Sequence, residues 1–374
     1  TVEMTCAEPT NMDFLFFIKF RDIYILPKHL LGDTPYADIR NNSYWEKPIG
    51  SGPCIYESQI SGERMEFKAN KDYYLKTPQW DRFVVKVVAT PSLLSGLMND
   101  EIDILAGNVA SLQLSDWDMA QQQQNLTCVS TESVGYQYMA INTEKDYLPP
   151  KVRQAIDMAI NRDAIVSGLL KGEGEPAFGP FATSHKYYDD VVNVGYNPEK
   201  AKELLAEAGY PDGFEVTLDA PNDRYMNDEQ IAQAVAGYLE KVGIKVNLNL
   251  MPKANFFSYI KPLENKSMFL MTGWSDASGD GLSLMHDMLY TYNREAGDGG
   301  VNRGHYSNAQ VDALIDQAFT EMDDTKRGEL VAEADKIARE DYAYIPLHFE
   351  QNTYAIKDTL NYTPRVNKYV FAWE

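Results

Sequence analysis

The sequence is short of cysteine, histidine and positive charge, and each shortage closes off a class of function. Only three cysteines occur in 374 residues: Cys6, Cys54 and Cys128. There is no CxxC pair and no Cys/His cluster at zinc-ligand spacing. An odd count gives no disulfide framework. Cys6 and Cys54 can pair only if their strands are neighbours, and two buried thiols are the simpler expectation. The five histidines, His29, His185, His286, His305 and His348, are scattered, with no HxH or HExxH pairing. No metal site built by the protein alone is expected, although a metal held partly by its own chelator stays open. Lys and Arg number 34 against 55 Asp and Glu, a net charge of −21. That balance opposes nucleic-acid binding, which needs a basic footprint, and docking on anionic lipid. No apolar run approaches the ~20 residues of a membrane span. No basic, apolar, small-residue leader opens the chain. There is no G-x-S-x-G turn to strain a serine nucleophile.

What remains is a chain long enough for two compact domains, with 44% apolar residues and 24 tyrosines. Tyrosine suits a wet recognition cleft as well as a core, because it has an apolar face and a polar tip. Thr1 to Cys6 reads as a strand in progress, so the chain is expected to start inside a domain. Phe14–Phe20 is an apolar run of strand length. Glu63–Ala69 and the valine-rich Arg82–Ala89 read as strands. Thr90 is expected to cap a helix with Pro91 at its first position, followed by a strand at Ile102–Leu105. That order predicts a strand–helix–strand unit of an α/β sheet.

Further on, Tyr136–Asn142 reads as a strand and Pro150 opens a helix. Asn197-Pro198 starts another helix, with Gly209 as its stop. Phe214–Leu218 is a strand, Asp228–Val242 a helix, and Ile244, Val246, Leu248 and Leu250 alternate as in a half-buried strand. Met268–Thr272 is an apolar strand ending in Gly273-Trp274. Two amphipathic helices, Val311–Phe319 and Thr325–Arg339, precede closing strands at Ile345–Phe349 and Thr353–Ile356.

Six phrases stand in a fixed order. They are Gly50-Ser51-Gly52-Pro53, Asn70-Lys71-Asp72-Tyr73-Tyr74, LMNDEIDI from Leu97, KVRQAIDMAINRDAI from Lys151, YNPEKAKELLAEAGYPDG from Tyr196, and Gly273-Trp274 with DDTKRGEL from Asp323. Together they resemble the bacterial extracellular solute-binding proteins of family 5, the oligopeptide-, dipeptide- and nickel-binding group. The resemblance implies an α/β protein of the two-lobe, type II periplasmic-binding-protein kind, with ligand enclosed between the lobes. Lobe I is expected over 1–133 plus 351–374, and lobe II over 134–350. Relative to the family an N-terminal stretch of lobe I is expected to be missing, leaving that lobe incomplete.

The resemblance also implies a function: capture of a peptide or similar small polar solute and delivery to a membrane ABC permease, without catalysis or a cofactor. The full-length protein is expected to be a monomer in the periplasm or another extracytoplasmic space, with or without a lipid anchor. The implied site lies after the strand that ends at Trp274, over Ser275, Asp276 and Ala277. In peptide-binding members an aspartate three residues after this tryptophan pairs with the peptide's ammonium. Here that position is Ala277 and the nearest carboxylate is Asp276, while Asp280 matches a second family aspartate. Pro180-Phe181 and Tyr187-Tyr188 resemble a loop that reaches the cleft, and Tyr136 and Tyr138 are expected at the cleft or hinge. Two other functions remain open. One is a ligand-binding sensor that docks to a receptor. The other is an acidic hydrolase pairing Asp276 with Asp280.

Overall fold

A computed structural model of the chain describes residues 3, 5–7, 9–10, 25–106, 110–187, 194–261, 267–276, 279, 281–366 and 369–370. The expected strand at Phe14–Phe20 lies outside these residues, as do Ala277, Asp280 and Tyr188. The chain forms two compact units. The smaller comprises Phe20–Thr131 and Asn352–Glu374, the larger Thr1–Lys19 and Glu132–Gln351.

In the smaller unit three strands, β1 (Cys54–Ile60), β2 (Arg64–Ala69) and β3 (Arg82–Lys86), form an antiparallel sheet in sequence order. Helix α1 (Leu93–Met98) follows, then the two-residue strand β4 (Ile104–Leu105) and helix α2 (Leu114–Gln121). Leu93, Leu94, Leu97, Leu105, Leu112 and Leu126 pack as this unit's core. Two expectations are corrected here. Strands β3 and β4 belong to different sheets, so they do not make a strand–helix–strand unit: β3 pairs with β2, whereas Leu105 and Ile104 pair with Ala355 and Ile356. Thr90 does not cap α1; it begins a 3-10 turn, Thr90–Ser92, that leads into the helix, and Ala89 precedes that turn. The cysteines also differ from expectation. Cys6 is exposed, and Cys54 and Cys128 are half-buried.

Strand β5 (Leu126–Ile141) carries the chain into the larger unit. Helix α3 (Pro150–Ala159) opens on Pro150 and buries Val152, Ile156 and Ala159 at helical spacing. After β6 (Gly174–Pro176) comes helix α4 (Pro198–Glu207), capped as expected: Asn197 Oδ1 accepts from the Lys200 N–H at 2.9 Å. Gly209 follows with φ +94°, the left-handed turn that glycine adopts most readily. Next are β7 (Phe214–Pro221), helix α5 (Asp228–Glu240) and β8 (Ile244–Met251). Strands β7 and β8 run parallel in full register. Gly213 and Gly243 touch there: a Cβ on Gly213 would lie 1.8 Å from the Gly243 carbonyl oxygen.

Helix α6 (Lys253–Ile260), strand β9 (Phe269–Ser275), helix α7 (Leu282–Leu289), helices α8 (Ala309–Thr320) and α9 (Asp324–Glu340), and strand β10 (Tyr344–Lys357) complete the chain. In the larger unit the strands lie in the order β10-β5-β9-β7-β8, with β6 alongside β10. The two closing strands expected from sequence are one continuous strand, because Asn352 and Thr353 are buried and extended rather than turned. On one side of this sheet a core forms from Tyr136, Tyr138, Phe181, Leu284, Met288 and Tyr344, among others.

Candidate functional site

The candidate site lies at the carboxyl end of β9. Open α/β sheets generally hold ligands beyond such strand ends. Strand β9 is buried over its first four residues and half-buried over Gly273, Trp274 and Ser275. It pairs antiparallel with β5, placing Trp274 opposite Tyr136, Gly273 opposite Gln137, and Ser275 opposite Gly135. Residues directly opposite each other share a face of the sheet. Trp274 therefore lies over the same core as Tyr136, against which it packs. Its Nε1–H is buried and has no hydrogen-bond acceptor among the described residues.

Tyr136 and Tyr138 lie inside this core, at 0% and 2% exposure. Their rings stack at 5.3 Å, and the Tyr136 hydroxyl donates to Met288 Sδ at 2.9 Å. Burial pushes both phenols well above their ordinary range, so they stay neutral. They form the floor behind Trp274.

Asp276 is the first residue past β9 and is 4% exposed. Its Oδ2 accepts from the Gly281 N–H at 2.8 Å, and its carbonyl accepts from the Gly279 N–H at 3.1 Å. Gly281 precedes α7 and holds φ +83°. The carboxylate thus sits at the start of a helix, where unpaired N–H groups favour negative charge.

The loop from Phe181 to Tyr187 meets Gly279 and Gly281. The Phe181 ring lies where a Cβ on Gly281 would reach it at 2.9 Å, and the Lys186 N–H donates to the Gly279 carbonyl at 2.9 Å. Tyr187 turns towards α9: its hydroxyl accepts from Arg327 at 3.0 Å and donates to Asp324 at 3.4 Å. Phe181 is therefore brought to the site, whereas Tyr187 anchors the loop that carries it. His185, at 4% exposure, stands beside Phe181 with ring centroids 5.8 Å apart. Its Nδ1 accepts from the Ala182 N–H at 3.0 Å. Burial lowers its pKa, against a smaller opposing effect from the Asp276 charge.

The other side of β9 is covered by Tyr225, whose hydroxyl hydrogen-bonds with Thr272 Oγ1 at 3.2 Å and the Gly273 carbonyl at 3.3 Å. Arg224, just past the carboxyl end of β7, lies over the Tyr225 ring at 4.7 Å and the Phe257 ring at 6.0 Å. The N–H groups of Arg224 and Tyr225 both donate to Asp228 Oδ2, at 2.8 and 2.9 Å. That pins the segment to the start of α5. Arg224 is half-buried, and its guanidinium has no carboxylate partner among the described residues. A cation held by aromatic faces, with its N–H fork unused, is suited to an incoming carboxylate.

His185, Arg224 and Tyr225 were not singled out from sequence. For Arg224 a signal existed: the strand-end rule applied to β9 applies equally to its parallel neighbour β7. His185 had only its place between Phe181 and Tyr187. Among the described residues no group of three or more His, Cys, Asp or Glu is placed to hold a metal. No described helix is long and apolar enough to cross a membrane.

Comparison with known proteins supplies the family. Residues 1–296 match the model of the bacterial extracellular solute-binding proteins, family 5, middle region. The oligopeptide-binding protein AppA of Bacillus subtilis is 28% identical over 99% of this chain and 72% of its own length. The di/tripeptide-binding protein 1 of Pseudomonas aeruginosa is 30% identical over 81% of this chain and 56% of its own. The heme-binding protein A of Haemophilus influenzae is 29% identical over 80% and 54%. The chain thus spans little more than half the length of the last two. The structure of AppA in complex with a nonapeptide superposes with TM-score 0.76 at 28% identity, covering 92% of this chain and 69% of that one. NikZ of Campylobacter jejuni in complex with Ni(L-His) shares the fold, with TM-score 0.77 at 23% identity, over 91% and 70%. The fold is that of the type II periplasmic binding proteins, and the chain belongs to the bacterial extracellular solute-binding proteins of family 5.

Proposed function

We propose that this chain is the solute-binding component of an ABC importer, taking up a short peptide with a free carboxyl end and delivering it to a membrane permease. It works as a monomer outside the cytoplasmic membrane. The observation that carries the reading is Arg224. Its guanidinium is braced by Tyr225 and Phe257 and has no carboxylate partner among the described residues, and Tyr225 bonds directly to β9. A guanidinium without a carboxylate partner favours any ligand that brings one. Relatives named for oligopeptide and di/tripeptide binding support the solute class.

Binding of this kind needs no nucleophile or proton relay, and the family consists of binding proteins. Asp276 is engaged with Gly281 rather than poised as a general acid. Trp274 contributes an indole face over the core and a donor at its edge.

Calorimetric titration of the full-length protein with tri-alanine and tri-alanine amide tests the reading. Saturable binding of the free acid is expected, with the amide weaker by at least ~10-fold, because a charge-assisted pair contributes about 1.5–3 kcal/mol. Equal binding of acid and amide would remove Arg224 from the account. No binding of either would remove the peptide.

A further inference from the structure

Two buried hydrogen-bond donors near the β9 end have no acceptor among the described residues: the indole Nε1–H of Trp274 and His185 Nε2. His185 is a donor at Nε2 for a structural reason. Its Nδ1 accepts from the Ala182 N–H, so in the neutral ring the hydrogen resides on Nε2. Burial keeps the ring neutral, the nearby Asp276 charge opposing this only in part. The ring is held between two fixtures. Phe181 lies against it on one side, itself lodged over Gly281, and the Lys186–Gly279 backbone bond ties the two loops together. Such bracing fixes the direction of a donor, and an unsatisfied buried donor is costly unless something meets it.

We propose that His185 is a specificity-determining residue of this site: its Nε2–H, with the Trp274 indole N–H, serves a carbonyl oxygen of the bound peptide backbone. The inference rests on the peptide-binding reading above and extends it. Arg224 would take the charged end, whereas His185 and Trp274 read the uncharged amide framework. Backbone amides are common to all peptides, so this contact selects peptides over solutes without carbonyl acceptors and leaves side-chain identity unread. It also gives a role to the histidine without making it a metal ligand, in keeping with the lack of a partner His or Cys cluster among the described residues.

The test uses tri-alanine as probe and the full-length protein labelled with 15N-histidine. Binding should move the Nε2–H resonance of His185, identified by its loss in His185→Gln. Titration of variants gives a second readout. His185→Phe keeps the ring volume and loses the donor, and should weaken tri-alanine by ~10-fold or more. His185→Gln keeps an N–H near the Nε2 position and should retain most of the affinity. Trp274→Phe should weaken tri-alanine in the same direction. A reduced analogue of tri-alanine, with its carbonyls other than the terminal carboxylate replaced by methylenes, should bind wild type and His185→Phe alike. If wild type binds tri-alanine while the His185 resonance stays put and His185→Phe matches wild type, the proposal is overturned and the peptide reading survives. If wild type does not bind tri-alanine, the peptide reading fails and this inference fails with it.

Discussion

Gln137 and Gly273 stand opposite each other in the register of β5 and β9, and a Cβ on Gly273 would lie 2.3 Å from Gln137 Nε2. The Tyr225 Cε1 atom is 2.9 Å from the same point. The glycine before Trp274 is thus required by packing, since the Gln137 amide, hydrogen-bonded to Glu350, and the Tyr225 ring fill the space.

Gly273→Ala should therefore destabilise the larger unit by about 1–3 kcal/mol, the usual cost of overpacking. Chemical denaturation of the variant measures it. Truncating Gln137 to Ala in the same chain should recover part of the loss, because the pair is in contact and non-additive. Full additivity would contradict the packing account.

Arg224→Ala should weaken tri-alanine by ~10-fold or more and leave tri-alanine amide unchanged. Its effect on unfolding should stay small, because the backbone bonds that fix this segment come from Asp228. An equal loss for both peptides would point to a disrupted loop rather than a lost charge pair.

The Asp157–Arg162 ion pair is buried, with side chains 9% and 3% exposed. Arg162 also donates from Nε to the Pro346 carbonyl at 2.8 Å. Asp157→Ala would leave a buried guanidinium uncompensated, which should cost ~3–5 kcal/mol in equilibrium unfolding. A loss below ~1 kcal/mol would mean that solvent reaches the pair.

His286 gives a pH dependence of stability. Burial opposes its charged form, but Asp287 and Asp298 outweigh that, so its pKa is raised in the folded state; Asp298 lies 3.1 Å from Nε2. A group with a raised folded pKa binds its proton more tightly when folded. Its contribution is complete below the unfolded value of about 6.5 and is lost as pH rises through the folded pKa. Melting temperature should fall across that window in wild type, and His286→Gln should flatten the fall. A wild-type profile no steeper than the variant's would contradict it.

Much of the frame was legible because local signals agreed with tertiary demands. Asn197, Pro198 and Gly209 punctuate α4 as their chemistry requires, and the alternation of Ile244 to Leu250 reports one buried face of β8. Strand β10 was not legible as one element. Glu350-Gln351-Asn352 reads as a polar break, and only pairing within a sheet makes it extended. The amino half of β5 was hidden in the same way by Thr127, Ser130 and Glu132. At the candidate site, Trp274, Asp276 and Phe181 were singled out through the resemblance, and the fold brings them to the end of β9. Arg224 and His185 were not singled out, because what faces them is set only by the fold: Tyr225 and Phe257 for one, Phe181 and Asp276 for the other. Tyr136 and Tyr138 carry no sequence mark that separates a core tyrosine from a ligand-facing one.

The most direct test of the central claim is native mass spectrometry of the full-length protein purified without added ligand, followed by denaturation and identification of what is released. The account predicts a set of short peptides with free carboxyl ends, in stoichiometric amount. A protein that releases nothing and whose melting temperature is unmoved by peptide, sugar and metal-chelate libraries would contradict it.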